Sequence, residues 1–331
     1  MIQARPVSTP LPSTTPQVSY RSGDPESLLR QPGTLAVIGF DHGQQPGRDD
    51  PRWLNVALPG LDGETPLEHW QVDASVEHGR DGGLRFAHGG GWLFAALQVT
   101  EADHDDDIER TAAHAYRTLC DFFLRQPKAW HVQRLWNYLD RINEGEGDDE
   151  RYKHFCDGRL RGMGHFFANG FPAATAIGHP QPSGHLTLYC LASTRPGTRI
   201  ENPRQMSAWR YPRQYGRTSP SFARAMRLPV GDVLAISGTA AITGHESRHA
   251  DDLEAQLQEL GANLDALLET AGMPARFDQN ASLKAYLRQP RDAEAVSDFL
   301  DQHMPGAPRV LLQGDVCRRE LLVEIDGWRY A

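Results

Sequence analysis

The feature that most limits how this chain can fold is a repeated order of apolar segments. A strand, a helix, a second strand and a second helix follow one another in each half, with a period of roughly 140 residues. In the first half, residues 92–100 predict a strand, and the acidic stretch 101–107 sets Asp and Glu against the dipole of the helix that follows. That helix runs to about Arg125, with Ile108, Ala112, Ala115, Leu119, Phe122 and Phe123 at helical spacing. Residues 130–139 then read as a strand and 151–161 as a helix. In the second half the same order is predicted at 233–242, 251–271, 283–288 and 293–302, with Leu253, Leu257, Leu260, Leu264, Leu267 and Leu268 along one face of the long helix. Leu93-Phe94 matches Leu234-Ala235 ahead of the first helix of each half, and Phe155 matches Phe299 in the second.

Further strands are expected at 34–40, 70–76, 83–88, 173–177, 185–192, 309–313 and 321–325, with 70–76, 83–88 and 92–100 in one sheet. Residues 1–33 are Pro-rich and read as an arm, and 41–52 as a loop. The fold class is therefore α+β, with an arm at 1–33, an N-terminal unit at 34–165 and a C-terminal unit at 166–331, each a mixed sheet with helices packed on one face. The 331 residues are 39% hydrophobic and 23% charged, a globular balance that excludes a disordered or coiled-coil chain. A net charge of −9 gives no field that would attract nucleic acid or anionic lipid. Apolar runs such as 92–97 fall far short of the roughly 20 residues of a membrane helix. Residues 1–20 lack the apolar core of a secretory signal, so a cytoplasmic location is expected. Cys120, Cys156, Cys190 and Cys317 are widely spaced, which argues against a disulfide framework or a zinc knot.

One motif points to a metal. His245-Glu246-Ser247-Arg248-His249 matches HExxH, in which two histidines one helical turn apart bind zinc. Its context is wrong: it lies between a strand and a helix whose periodicity begins only near Asp251, Arg248 would sit beside the dication, and no third ligand pattern follows. No metal is expected, and without a Walker loop or GxGxxG spacing no nucleotide cofactor either.

Three other clusters carry candidate chemistry. Residues 201–224 hold Arg204, Arg210, Arg213, Arg217 and Arg224 interleaved with Trp209, Tyr211, Tyr215 and Phe222, a set suited to gripping a small aromatic or diene anion. Residues 134–159 add Arg134, Trp136, Tyr138, Arg151, Tyr152 and Arg159. In the third, residues 315–327, strand alternation puts Glu324 on one face with Val323 and Ile325 on the other. A carboxylate in that setting is placed for partial desolvation, which raises its pKa and suits it to general-acid work.

These residues carry a resemblance. The stretch 234–241, Asp252 with Gln256, Leu260 and Asn263, and Leu322-Val323-Glu324-Ile325 resemble the YjgF/RidA-type α+β domain, whose members form trimers with clefts between units. More specifically, Trp136-Asn137-Tyr138, Arg151-Tyr152, residues 155–159, Glu201-Asn202-Pro203-Arg204, Tyr211 to Tyr215, residues 219–224, residues 237–242 and the Cys317/Glu324 pair resemble the chorismatases. The resemblance implies cofactor-free removal of pyruvate from chorismate, with Glu324 protonating the enolpyruvyl methylene. It implies that Cys317 directs rearomatisation to 3-hydroxybenzoate, with 4-hydroxybenzoate as a further product. Arg159 and Arg204 are then expected on the substrate carboxylates, Tyr211 and Tyr215 in its orientation, and Gly238, Thr239, Ala240 and Ala241 in the pocket wall, with Arg224 and Tyr152 as further contacts. Two units in one chain make the cleft internal, so a monomer is expected rather than a trimer. The competing readings are a hydrolytic chorismatase, a RidA-like imine hydrolase using Arg309, and a non-catalytic binding module of the same fold.

Overall fold

The structure is a computed structural model that describes residues 14–41, 49–63 and 65–331. Residues 1–13 of the expected arm and 42–48 of the expected loop lie outside the described residues. The fold is α+β, and its strands form three large sheets and one small hairpin.

The first sheet contains β1 (Gln17–Arg21), β2 (Thr34–Phe40), β3 (Trp53–Val56) and β4 (Leu67–Gln71), in the order β1-β4-β2-β3, with the short helix α1 (Pro25–Leu29) against it. The second contains β5 (Glu77–Asp81), β6 (Leu84–Gly89), β7 (Trp92–Thr100), β8 (His131–Asp140), β9 (Ala173–His179), β10 (His185–Ser193) and the two-residue β18 (Asp315–Val316), in the order β18-β9-β8-β10-β7-β6-β5. Helices α2 (Ile108–Arg125) and α3 (Arg151–Met163) cover its outer face. The third contains β11 (Thr198–Ile200), β12 (Ala225–Arg227), β13 (Val233–Thr239), β16 (Ala281–Leu287), β17 (Arg309–Gln313) and β19 (Val323–Tyr330), in the order β11-β12-β13-β19-β16-β17, under α4 (Leu253–Ala271) and α5 (Ala293–His303). The hairpin pairs β14 (Ile242–Thr243) with β15 (Glu246–Ser247).

The repeat is visible in these orders. Strands β9-β8-β10-β7 in the second sheet correspond to β17-β16-β19-β13 in the third, each with one parallel pair, β8 with β9 and β16 with β17. The first sheet has the same arrangement in smaller form, β3-β2-β4-β1 with β2 parallel to β3. The chain thus holds two units of one strand order and a reduced third sheet of the same order. Apolar residues of all three sheets, including Ile38, Trp70, Phe94, Trp136, Tyr189, Ala235 and Trp328, meet in one central core, with the helices outside.

Several expectations change. Residues 67–71, not 70–76, form the strand, and it pairs with β1 and β2 rather than with 83–88 and 92–100, because Trp70 points into the central core. β1 and α1 lie in the stretch read as an arm, where short length and proline spacing hid them, and β3, for which no strand was expected, begins directly after the stretch read as a loop. The second sheet continues across residue 165: β9 and β10 pair with β8, and β10 also with β7. The last strand extends to Tyr330, past residue 325. Among the described residues no helix is long and apolar enough to cross a membrane.

A buried ionic network ties the sheets together. Lys284 of β16 donates to Glu68 Oε2 of β4 at 2.7 Å and to the Tyr189 hydroxyl of β10 at 3.3 Å, and its Nζ lies 3.9 Å from Asp326 Oδ1, with all three charged side chains fully buried. Removing one partner of such a set strands the opposite charge in the core. Lys284→Met is therefore expected to lower the unfolding free energy by about 3–5 kcal/mol in urea titration, and a change below about 1 kcal/mol would show that the network is not needed to join the sheets.

Candidate active site

Strand β19 sets up the site through its alternation. Val323 and Ile325 pack toward α4 and α5, while Trp328 faces the central core and Glu324 and Asp326 share that inward parity. Asp326 Oδ2 accepts from Arg134 Nη2 at 3.1 Å, Trp136 Nε1 at 2.9 Å, Thr175 Oγ1 at 2.8 Å and the Tyr286 hydroxyl at 2.9 Å. Glu324 lies two residues earlier, where the core opens into a cavity of about 260 Å³.

The β13–β19 register shifts between Ile236 and Thr239, and the irregularity brings Gly238 against Glu324. A Cβ on residue 238 would overlap the Glu324 carboxyl, so glycine is what leaves room for the acid. The Gly238 N–H donates to Thr175 Oγ1 at 3.0 Å, which couples this backbone to Asp326 through one hydroxyl.

Glu324 is 6% exposed. Burial, followed by the neighbouring Asp326 charge, pushes its pKa up to about 8, against the opposing pull of Arg134, Arg224 and Arg318. It is a protonated acid at neutral pH. Burial, and then the nearness of Glu324, pushes the Cys317 thiol well above its ordinary range, so Cys317 stays a thiol.

Helix α3 contributes Tyr152 and Arg159 to the cavity, seven residues and two turns apart on one face. Arg159 is buried, donates Nη2 to the Ser221 carbonyl at 2.8 Å and sits over the Tyr116 ring at 5.2 Å. Arg224 is buried and donates Nη2 to the Met206 carbonyl at 2.7 Å and to the Tyr211 hydroxyl at 2.8 Å. Among the described residues the Nε of each has no hydrogen-bond partner. Buried guanidinium groups with donors to spare suit carboxylate ligands. Tyr152, Tyr211, Tyr215 and Phe222 supply aromatic walls.

Of the residues singled out from the sequence, Glu324, Cys317, Arg159, Tyr211, Tyr215, Arg224, Tyr152, Gly238 and Ala240 line this cavity. Arg204 does not: its Nε donates to Asn263 Oδ1 at 2.9 Å and its Nη2 pairs with Glu259, so α4 holds the guanidinium outside the cavity wall. Thr239 turns its hydroxyl to the Ser237 carbonyl, and Ala241 packs with Val316 and Leu321 behind the wall. Arg309 pairs with Asp301, away from the cavity.

Sequence reasoning missed Thr175 and Arg318 as cavity residues. Arg318 is adjacent to Cys317 and was within reach of a closer reading, whereas the role of Thr175 depends on a contact between sheets. The HExxH-like stretch is a β-hairpin whose turn contains Gly244 at φ 61° and His245, so its two histidines are not on one face of a helix.

The site combines a protonated carboxylic acid, a thiol, buried cations and aromatic walls in one enclosure, a set able to donate a proton to a small anionic ring. Against this geometry stand the relatives. Residues 68–192 match the family model described as chorismatase FkbO/Hyg5-like, N-terminal. A 3-hydroxybenzoate synthase from Streptomyces hygroscopicus is 34% identical over 292 residues, covering 83% of this chain and 84% of that protein. A chorismatase from the same organism is 33% identical over 282 residues, covering 80% of each. A chorismatase crystal structure superposes with a TM-score of 0.84 at 28% identity, over 96% of this chain and 98% of that one. With relatives of that identity and coverage, and with the acid, the thiol and the buried arginines sharing one cavity, the chain belongs to the chorismatase family.

Proposed function

We propose that this protein converts chorismate to 3-hydroxybenzoate and pyruvate as a cofactor-independent lyase, with 4-hydroxybenzoate as a second product. The observation that carries the reading is Glu324, a buried acid with its pKa at about 8 in a cavity that also holds Arg159, Arg224 and Cys317. Chorismate has two carboxylates and a diene ring, which suit the two buried guanidinium groups and the aromatic walls.

Glu324 gives its proton to the methylene carbon of the enolpyruvyl ether, which leaves an oxocarbenium ion on the side chain. The ring hydroxyl attacks the carbon that bears the ether, the C–O bond breaks, and pyruvate departs as the ketone. The hydroxyl proton returns to Glu324, the arene-oxide-like intermediate opens, and the proton that leaves the ring carbon ends on the ring oxygen, which gives the aromatic phenol with no net loss of a proton. No water is consumed, and Cys317, as a thiol, steers that last step. Burial of Glu324 keeps the acid protonated in neutral solution, which a solvated glutamate cannot do.

The cavity is lined by elements of the second and third sheets, α3 and the loops between them, all in one chain, which favours a working monomer. All four cysteines are free, which suits the reducing cytoplasm.

The direct test is to treat the purified protein with EDTA, add chorismate, resolve the products and assay pyruvate. Hydroxybenzoate with equimolar pyruvate is expected, whereas a non-aromatic diol would assign the chain to hydrolysis. Glu324→Gln is expected to lower pyruvate release by roughly 10²–10⁴-fold. Because Glu324 must carry its proton, kcat/KM should hold steady below a pH of about 8 and fall tenfold per unit above it; a rise above that pH would contradict an acid role. Cys317→Ala should retain pyruvate release while losing 3-hydroxybenzoate, and an unchanged product would remove the thiol from the mechanism. Gly238→Ala should leave the melting temperature almost unchanged, since only the end of the Glu324 side chain must move, yet cost turnover on the order of 10²-fold by misplacing the acid.

A further inference from the structure

The HExxH-like hairpin has no metal geometry, but it touches the cavity wall at two places. Arg318 Nη1 donates to the His245 carbonyl at 2.9 Å and to Ser247 Oγ at 3.1 Å. His245 Nδ1 lies 3.3 Å from the Tyr215 hydroxyl, with the two rings 5.5 Å apart. The Arg318 guanidinium is stacked over Tyr215 at 4.1 Å from the ring centroid, and stands 5.3 Å from that of Tyr211.

The hairpin is itself anchored. Gly244 N donates to the Arg204 carbonyl and Met206 N to the Gly244 carbonyl, each at 2.8 Å, and Gln205 Nε2 donates to the Ile242 carbonyl at 3.0 Å. Arg248 N donates to the Ala241 carbonyl at 2.8 Å. The stretch 204–206 therefore serves the site as a rail for the hairpin, through its backbone and the Gln205 side chain.

All the hydrogen bonds of the Arg318 side chain among the described residues leave from Nη1, so the edge formed by Nε and Nη2 is available to a ligand. That edge is the side a carboxylate takes in a paired fork contact, and a guanidinium already flat on a ring and tied at one end loses little freedom on binding. Arg159 and Arg224 are spent partly on holding the loop carbonyls of Ser221 and Met206. Arg318 is held from behind by the hairpin through Nη1 alone.

We propose that Arg318 is a third carboxylate-binding cation of the cavity, and that the 242–247 hairpin positions it, through Ser247 and the His245 carbonyl directly and through the His245 side chain by way of Tyr215. This rests on the reading of chorismate, a dianion, as the substrate. His245 and Ser247 are positioning residues, since they act through Arg318 and Tyr215, and the part of the sequence that looks like a zinc motif is the brace of an anion site.

The test measures chorismate turnover in the full-length protein, and chorismate affinity by calorimetry in a Glu324→Gln background where the ligand is not consumed. Arg318→Gln is expected to raise KM and Kd at least tenfold with kcat within about threefold, and Arg318→Lys, which keeps the charge without the fork, to fall between. Ser247→Ala should weaken binding severalfold in the presence of Arg318 and not at all in the Arg318→Gln protein, the non-additivity expected of residues that act through one another. Melting temperatures near the parent value exclude unfolding as the cause. Parent turnover together with a normal KM in Arg318→Gln overturns this inference and leaves the reaction standing. A Ser247→Ala effect that persists without Arg318 removes the hairpin from the proposal. A parent that neither binds nor turns over chorismate overturns the reading of function and this inference with it.

Discussion

Asp326 is the interaction on which the rest depends. One carboxylate oxygen collects donors from β8, β9 and β16, while its own strand, β19, carries Glu324 two residues away. The Asp326 carboxylate does two things at once. It joins the second and third sheets through Arg134, Trp136 and Thr175, and it disfavours ionisation of Glu324. Asp326 therefore contributes to the stability of the centre and, after burial, to the raised pKa of Glu324.

Much of the fold could be read from the sequence because it depends on local periodicity. The helices at 108–125, 151–163, 253–271 and 293–303 all carry amphipathic spacing, and the strands at 92–100 and 309–313 end where their apolar runs end. Of the first sheet only β2, expected at 34–40, was legible in full. Its other strands are short, are separated by prolines and glycines, and are strands only because partners lie elsewhere: β1 needs β4, and the Tyr330 hydroxyl, 312 residues away, accepts from Val18 N. No local pattern encodes such a pairing.

The same distinction runs through the site. Glu324, Cys317, Arg159 and Arg224 stand in motifs whose residue types state their chemistry. Arg204 has the same type and the same company, but its neighbours on α4, Glu259 and Asn263, claim the side chain, and that competition is set by packing. Thr175 is an ordinary strand threonine until the third sheet brings Asp326 and Gly238 to it.

The place of β19 has a consequence for how the enzyme comes into being. This strand follows every other described strand in the chain, yet it inserts between β13 and β16 and not at an edge of its sheet. Until it arrives, the third sheet is split, the Arg134 cation lacks its counter-charge, and the cavity has no acid. Synthesis from the N-terminus therefore leaves the chain inert, with a gap in its core, until β19 emerges. Chemistry and closure of the fold then arrive together, so a partly made molecule has no means of acting on its substrate.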